Sequence, residues 1–154
     1  FLRDGIPLPL ELQMHEAYLL ELHHLPGQAF VEQRIALDRR AQPCEFFGGE
    51  VWYRGIIDYL KVDGAHALVI DHKTGKMKPK WGQLMVFALH TFAAFPQVQT
   101  VDAKFYWTQL RSTNGHVYQR GMIPELWKHF TPDLKQYAEA FKTDTWQPRQ
   151  SGLC

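Results

Sequence analysis

Two hydrophobic segments joined by an Asp-Gly turn constrain the fold of this chain more than any other feature. Residues 51–62 and 66–74 are rich in β-branched and aromatic side chains. This pattern predicts two antiparallel β-strands joined by a tight turn. Because side chains alternate between the two faces of a strand, we expect Ile56, Asp58 and Leu60 to share one face.

Two acids and one amine fall at neighbouring positions of these strands. Asp71 and Lys73 are two residues apart and therefore point the same way, and antiparallel pairing brings Asp58 close to Asp71. Carboxylate oxygens bind hard divalent ions, and an ammonium group beside them stabilises negative charge. The pattern predicts a metal site on this hairpin. An Asp-x-Lys pair alone is also typical of a solvated strand face, so the prediction depends on all three residues together.

The order of these residues resembles a known motif. Gly-x-x-Asp, which ends at Asp58, followed by Asp-x-Lys-Thr-Gly, which begins at Asp71, is similar to the signature of PD-(D/E)XK nucleases of the RecB-like branch. The resemblance implies that both aspartates bind the metal and that Lys73 takes part in the reaction. It also implies a glutamine on the following helix, which Gln83 matches. The tyrosine that the family carries four residues later is Phe87 here, a departure from the pattern.

The resemblance implies a restriction-endonuclease-like α/β fold, in which helices flank a central mixed β-sheet. The chain length suits one domain with its own core. We therefore expect a single nuclease domain over residues 1–154, truncated at one or both ends if the missing initial methionine reflects a longer protein. Three further strands bring the expected number to about five. They are predicted at 30–37, 101–110 and 116–122, with a loop at 39–49 and a turn at 112–115.

Helical periodicity marks the other segments. Residues 8–25 carry an apolar stripe at helical spacing. Pro124 opens a short helical piece, and Thr131 is expected to be the N-cap of a separate C-terminal helix. The stripe of the middle helix consists of Trp81, Leu84, Ala88, Phe92 and Phe95.

A histidine ligand on a helix ahead of the sheet is also implied by the resemblance. His15 is the match, because it lies in the middle of the helix predicted over 8–25, on its inward face. His23 and His24 compete for the role, and a satisfied core histidine is the simpler interpretation of any one of them. The backbone carbonyl of His72 is a further ligand by the same resemblance.

An acidic residue near the first strand completes the implied site. Glu32 is the match, and an exposed glutamate paired with Arg34 is an equally good interpretation. Alternation places Val31, Gln33, Ile35 and Leu37 on one face of this strand.

Three lysines follow the proposed site directly. Lys76, Lys78 and Lys80 lie in a loop with glycine and proline, where a polyanion at the site would have to pass. Charge runs are usually solvated loops, but phosphate contacts supply most non-specific affinity for nucleic acids, and we favour a DNA-contacting loop. Trp81 either stacks on a base or belongs to the core of its helix, and the core is the favoured interpretation.

Composition and charge limit which partners and cofactors the protein can have. The formal net charge is +1, so attraction to DNA has to come from a local patch. We expect no membrane partner, because no apolar segment is long enough to span a bilayer. The expected location is the cytoplasm of a bacterial or phage-infected cell or the nucleoid, with an organelle as an open alternative. The tail resembles the lead-in to a cysteine cluster in some RecB-like nucleases. An iron–sulfur cluster needs four thiolates, and the sequence has only Cys44 and Cys154. We therefore expect no such cluster within these residues: either the protein continues past Cys154 or it lacks the cluster.

These observations predict a divalent-metal-dependent deoxyribonuclease, an exonuclease by resemblance, that uses Mg²⁺ or Mn²⁺. The expected partners are single- or double-stranded DNA and proteins of DNA repair, recombination or phage DNA processing. Two alternatives stay open: a catalytically silent nucleic-acid-binding module with the same fold, and a metal-dependent hydrolase of a small substrate. The intact set of Asp58, Asp71 and Lys73 argues against the silent module, because a decayed site usually loses a charge.

Overall fold

The computed structural model describes residues 6–146, and the chain divides into two compact units, Phe1–Arg120 and Gly121–Cys154. The first unit contains, in chain order, α1 (Glu16–His24), β1 (Gln28–Leu37), β2 (Pro43–Cys44), β3 (Tyr53–Asp63), β4 (His66–Lys73), α2 (Trp81–Ala94), β5 (Thr100–Trp107) and β6 (Ser112–Gln119). The second unit contains α3 (Ile123–Thr143). Two short 3-10 helices precede α1 and α3 in the sequence, at Leu10–His15 and Arg120–Met122.

The six strands form one mixed sheet in the order β2-β1-β3-β4-β5-β6. Strands β4 and β5 are parallel, and every other adjacent pair is antiparallel. A parallel pair needs a crossover connection, which α2 provides. The predicted α/β class with a central mixed sheet is confirmed, with six strands in place of about five. The finer assignment to a restriction-endonuclease-like core in a single domain stays a prediction.

Helix α2 packs its apolar stripe on one face of the sheet. Leu84, Ala88 and Phe92 are fully buried, as their spacing predicted. The guanidinium group of Arg120 donates hydrogen bonds of 2.9 Å to the carbonyl oxygens of Phe92 and Phe95. These bonds satisfy carbonyls that the end of a helix leaves without an intrahelical partner.

Helix α1 covers the opposite face of the sheet. Leu22 and Tyr18 pack there against Ile70. The ammonium group of Lys61 is buried and donates to the carbonyl oxygens of Leu22 and His23, at 3.1 and 3.0 Å. A cation at this position offsets the partial negative charge at the C-terminus of α1. Within residues 6–146, no helix has the length and hydropathy needed to cross a membrane.

Some predicted boundaries are wrong because backbone pairing, rather than side-chain pattern, sets them. Ser112 begins β6, and the chain reverses earlier, at residues 108–111, where Arg111 has a φ of 46°. The loop predicted at 39–49 contains the two residues of β2, which pair with the end of β1. The helix predicted at 8–25 is α-helical only in α1, after a 3-10 segment.

A separate helix does not begin at Thr131. Helix α3 is continuous and contains Pro132 in its interior. The hydroxyl of Thr131 donates to the carbonyl oxygen of Trp127 in the preceding turn, at 3.1 Å, so it does not act as an N-cap. A proline inside a helix removes one backbone hydrogen bond, and the remaining bonds keep the helix continuous.

The ladder between β1 and β3 is interrupted at one position. Glu32 and Asp58 lie opposite each other without a bridge, while the residues on either side of them are paired. Glu32 has a φ of 50°, in the left-handed region that residues other than glycine rarely adopt. The register is the same on both sides of the interruption, which leaves one residue of each strand without a ladder partner.

This interruption changes which side chains face α2. Leu60 faces α2, because its ladder partner Phe30 packs on Phe95 with ring centroids 5.4 Å apart. Gly55 also faces α2, because a β-carbon there would lie 3.3 Å from Cε1 of His90. Residues five apart would point to opposite faces of a regular strand, so alternation is broken between them.

The predicted face assignments are therefore wrong where they cross the interruption. Ile56 is exposed and does not share the face of buried Leu60, and Ile57 is buried instead. In β1, Val31 is exposed whereas Ile35 is buried, although both were predicted on one side.

Gly115→Ala tests the close contact between β5 and β6. A β-carbon at Gly115 would overlap the carbonyl oxygen of Ala103 and lie 2.8 Å from Cα of Lys104. Backbone atoms would have to move, and we expect the free energy of unfolding to fall by about 2 kcal/mol. Gly49→Ala is the control, because no described atom lies within 4 Å of a β-carbon there. Chemical denaturation compares the two variants, and equal stability would contradict the contact.

Candidate functional site

Asp71 and Lys73 form an ion pair at the end of β4, on the face that α2 covers. Lys73 Nζ lies 2.5 Å from Asp71 Oδ2, and the two side chains are 32% and 5% exposed, respectively. The ammonium group also lies 5.5 Å from the ring centroid of Phe105, within the range of a cation–π contact. The predicted common direction of the two side chains is therefore observed, and the carboxylate is the buried member of the pair.

Gln83 holds the second oxygen of the same carboxylate. Its Nε2 donates to Asp71 Oδ1 at 2.9 Å from the first turn of α2. The amide and the ammonium group together engage both oxygens of Asp71. Because Gln83 lies on the crossover helix and Lys73 on the strand before it, the fold brings together three residues that the sequence predicted as one site.

Asp58 is positioned by a backbone N–H group of the neighbouring strand. The paired residues of β3 and β4 end at Tyr59 and Ile70, so the strands separate beyond this point. The N–H of His72 donates to Asp58 Oδ2 at 2.8 Å. The side chain of Asp58 is 43% exposed, which leaves its carboxylate accessible to a ligand.

The charges at this site act on one another. Burial raises the pKa of Asp71 above its ordinary value, and the charge of Asp58 adds to this rise, while the hydrogen bond and charge of Lys73 oppose it. Desolvation and a like charge both disfavour the ionised carboxylate. A bound cation would relieve both effects, so the donor set fits a metal ion.

The rings of His15 and His72 lie on the opposite face, in an aromatic group. His15 Nδ1 shares a hydrogen bond of 3.1 Å with the hydroxyl of Tyr106, which stacks on Tyr18 at 3.8 Å between centroids. The His72 ring packs edge-on against both tyrosines, and its Nδ1 lies 3.8 Å from Asp58 Oδ2. Burial lowers the pKa of His72, although the two nearby aspartates act in the opposite direction.

Several other predicted residues lie outside this group. Glu32 is exposed, and the guanidinium group of Arg34 lies over the ring of Phe46 rather than beside Glu32. His23 and His24 are exposed at the end of α1, with ring centroids 5.6 Å apart. The predicted role of Glu32 and the alternative ligands on α1 stay predictions.

The lysine-rich loop leaves directly from the site. Lys76, Lys78 and Lys80 are exposed between β4 and α2. Trp81 is half-buried and packs against the ring of His116, at 4.5 Å between centroids. Contacts of these four residues with DNA stay predictions. Cys154 and the rest of the tail, 147–154, lie outside the described residues.

Two carboxylates are the metal-ligand candidates that the sheet brings together. Within the described part of the chain, no three His, Cys, Asp or Glu side chains form a group that could hold a metal ion. Mg²⁺ usually keeps several water ligands and is bound through one or two carboxylates together with substrate phosphates, so Asp58 and Asp71 suit it. The ligand roles of His15 and of the His72 carbonyl stay predictions.

Sequence reasoning missed the two tyrosines beside the site. Tyr106 is the ladder partner of His72 across the parallel strands, and Tyr18 stacks on it from α1. The register of β5 against β4 determines the first position, and no local pattern reveals such a register. Burial raises the pKa of both phenols, so they remain neutral at physiological pH.

No protein-family model matches this chain, and a comparison with curated proteins gives no significant match. The chemistry of the site is therefore argued from its own residues.

Asp71→Asn is expected to stabilise the protein at neutral pH. Because its pKa is raised, Asp71 binds a proton more tightly in the folded state than in the unfolded chain, and stability is lost as the pH rises through the folded pKa. We expect the variant to raise the free energy of unfolding by about 1 kcal/mol at neutral pH. The gain should vanish below about pH 4, where the unfolded aspartate is also protonated.

Asp102→Asn is the matched control for this measurement. Asp102 pairs with Lys104 at 2.6 Å, and its side chain is 35% exposed, so solvation already compensates its charge. Denaturation of both variants across a pH series measures the effect. A gain for Asp71→Asn that is equally large in acid would contradict the role of burial.

Proposed function

We propose that this protein is a metal-dependent deoxyribonuclease with a RecB-like PD-(D/E)XK core, which hydrolyses phosphodiester bonds. The observation that carries the proposal is the convergence of Lys73 and Gln83 on the buried carboxylate of Asp71, beside Asp58. The residues that match the nuclease motif in the sequence are the same residues that lie together in the fold. The central mixed sheet flanked by helices agrees with the fold that the resemblance implies.

The metal would be held by the oxygens of Asp58 and Asp71. When bound, Mg²⁺ or Mn²⁺ supplies a water of lowered pKa and relief of the charge that develops on the phosphate. The carboxylate of Asp71 is buried and is oriented by Gln83, whose Nε2 donates to Oδ1 at 2.9 Å. The carboxylate of Asp58 accepts a hydrogen bond from the His72 N–H and is open to solvent. The protein therefore contributes one rigid ligand and one accessible ligand.

Lys73 is the electrostatic group of the proposed mechanism. Its side chain is one-third exposed, and its ammonium group lies against the buried aspartate. A positioned cation stabilises negative charge that builds on a phosphoryl oxygen in the transition state. Lys73 is proposed to orient the attacking water or to stabilise that charge, and Gln83 to keep Asp71 in place.

The loop after Lys73 supports a polyanionic substrate rather than a small one. Three exposed lysines within five residues follow the site without an intervening strand or helix. Phosphate contacts of this kind supply affinity that does not depend on sequence. We propose DNA repair, recombination or phage DNA processing as the setting, and exonucleolytic action as the mode.

Cleavage assays on variants of Asp71 and Lys73 test the proposal. We expect Asp71→Asn and Lys73→Ala each to lower Mn²⁺-dependent cleavage by about a hundredfold or more, because each removes charge from the reacting centre. End-labelled and circular DNA, with Mg²⁺ and Mn²⁺, separate exonuclease from endonuclease action. Circular dichroism and chemical denaturation check that both variants are folded.

The chain supplies a matched control in a second Asp-x-Lys pair. Asp102 and Lys104 have the same spacing and an ion pair of 2.6 Å, but lie on the other face of the sheet. Asp102→Asn and Lys104→Ala should leave cleavage unchanged. Full activity in the Asp71 and Lys73 variants would remove the mechanism, whereas strand binding without any cleavage by the parent would favour the catalytically silent module.

Asp58→Asn tests the proposed metal site directly. One anionic ligand becomes neutral, so we expect the affinity for Mn²⁺ to fall by about tenfold or more, as judged from the sensitivity of hard-ion sites to ligand charge. Isothermal titration calorimetry without DNA measures this change. Unaltered Mn²⁺ affinity would show that Asp58 is not a ligand.

A further inference from the structure

Four side chains form a cluster on β1, β3 and the segment between β2 and β3. We call it the aromatic–arginine patch, and it consists of Arg34, Phe46, Phe47 and Arg54. The guanidinium carbon of Arg54 lies 5.5 and 5.6 Å from the centroids of the two phenyl rings, and that of Arg34 lies 5.7 and 6.0 Å from them. The rings meet edge to face at 5.0 Å. Cation–π contacts thus hold both guanidinium groups against the rings.

The patch presents both an aromatic ring and unpaired positive charge to solvent. Phe47 is 73% exposed, which is unusual for an aromatic side chain that folding normally buries. Among the described residues, no carboxylate forms an ion pair with Arg34 or Arg54. Arg54 is held in place by a hydrogen bond of 3.2 Å to the carbonyl oxygen of Phe46. Its charge is therefore oriented but not neutralised.

The position of the patch relates it to the candidate site. Gly55 faces α2, so its neighbour Arg54 points to the opposite face of the sheet from Asp71 and Lys73, which is the face that carries the His72 ring. That ring lies 3.8 Å from the carboxylate of Asp58. Along β3, Arg54 is four residues from Asp58, a distance of about 13 Å. A stacked strand spans this distance with about four nucleotides.

We propose that the aromatic–arginine patch binds an unpaired stretch of nucleic-acid strand next to the position of cleavage. The inference rests on the proposed function, and it adds a single-strand requirement to it. The exposed ring of Phe47 offers a stacking surface for a base, and the two arginines engage phosphates or stack on neighbouring bases.

An unpaired strand fits this surface better than a duplex does. The faces of bases are enclosed within a duplex, which offers mainly its phosphates to a flat protein surface. A duplex would therefore use the two arginines and leave Phe47 without a partner. A single strand can use both features at once, because each base has an open aromatic face.

Binding of oligothymidylate measures this directly. Fluorescence anisotropy of a labelled oligothymidylate, in EDTA so that no cleavage occurs, compares the full chain with its variants. We expect Phe47→Ala to weaken binding by about tenfold without changing its salt dependence. Arg34→Ala combined with Arg54→Ala should lower the slope of log affinity against log salt by about 1.4, because two phosphate contacts are lost.

Matched controls come from the second unit. Phe141 is 71% exposed, so Phe141→Ala removes an equally accessible ring. Lys135→Ala combined with Lys142→Ala removes two exposed charges. Both controls should bind as the parent does. Phe47→Trp should retain the affinity for the strand, because it keeps a stacking surface, and circular dichroism checks the fold of every variant.

Two outcomes would contradict the proposed role of the aromatic–arginine patch and leave the proposed nuclease activity unaffected. One is unchanged oligothymidylate binding in folded patch variants that still cleave DNA. The other is an equal loss for oligothymidylate and for its duplex with oligoadenylate, since this would indicate phosphate contacts alone. If the parent neither binds the strand nor cleaves DNA with Mn²⁺, the proposed function itself fails, and the patch proposal fails with it.

Discussion

The separation of β3 from β4 after the pair formed by Tyr59 and Ile70 is the constraint on which the site depends. Had the ladder continued, the N–H of His72 would be committed to backbone pairing. A half-buried N–H group requires an acceptor, and Asp58 supplies it at 2.8 Å. The carboxylate is thus fixed by the backbone of the strand that carries Asp71. Two acids that would repel each other are brought to one place because each has its own compensating donor.

Burial, rather than sequence spacing, distinguishes the candidate site from an ordinary ion pair. Two Asp-x-Lys pairs of the chain, Asp71 with Lys73 and Asp102 with Lys104, form ion pairs of almost the same length, 2.5 and 2.6 Å. The side chain of Asp71 is 5% exposed, whereas that of Asp102 is 35% exposed. Burial raises the pKa of Asp71, and a glutamine from helix α2 donates to its carboxylate. Surface pairs contribute little to stability, whereas a buried carboxylate carries a desolvation cost that a nearby cation offsets.

Local patterns predicted the parts of the fold that local forces determine. The hairpin, the crossover helix and its buried stripe followed from alternation and helical spacing, and so did the common direction of Asp71 and Lys73. The contact of Gln83 was predicted only through the resemblance. The stacking of Tyr106 beside His72 depends on a parallel register set by pairs distant in the chain. The continuity of α3 through Pro132 likewise shows that a local breaker is outweighed by the rest of its helix.

The interruption at Glu32 and Asp58 links the candidate site to the aromatic–arginine patch. With unbroken alternation from Leu60, Arg54 would point towards α2, where a β-carbon at neighbouring Gly55 would already lie 3.3 Å from Cε1 of His90. The left-handed conformation of Glu32 costs free energy, on the order of 1 kcal/mol, and it persists because the paired residues on both sides fix it. The same irregularity frees Asp58 from the ladder and turns Arg54 outward. A single local distortion thus creates both the accessible ligand and the exposed cation beside it.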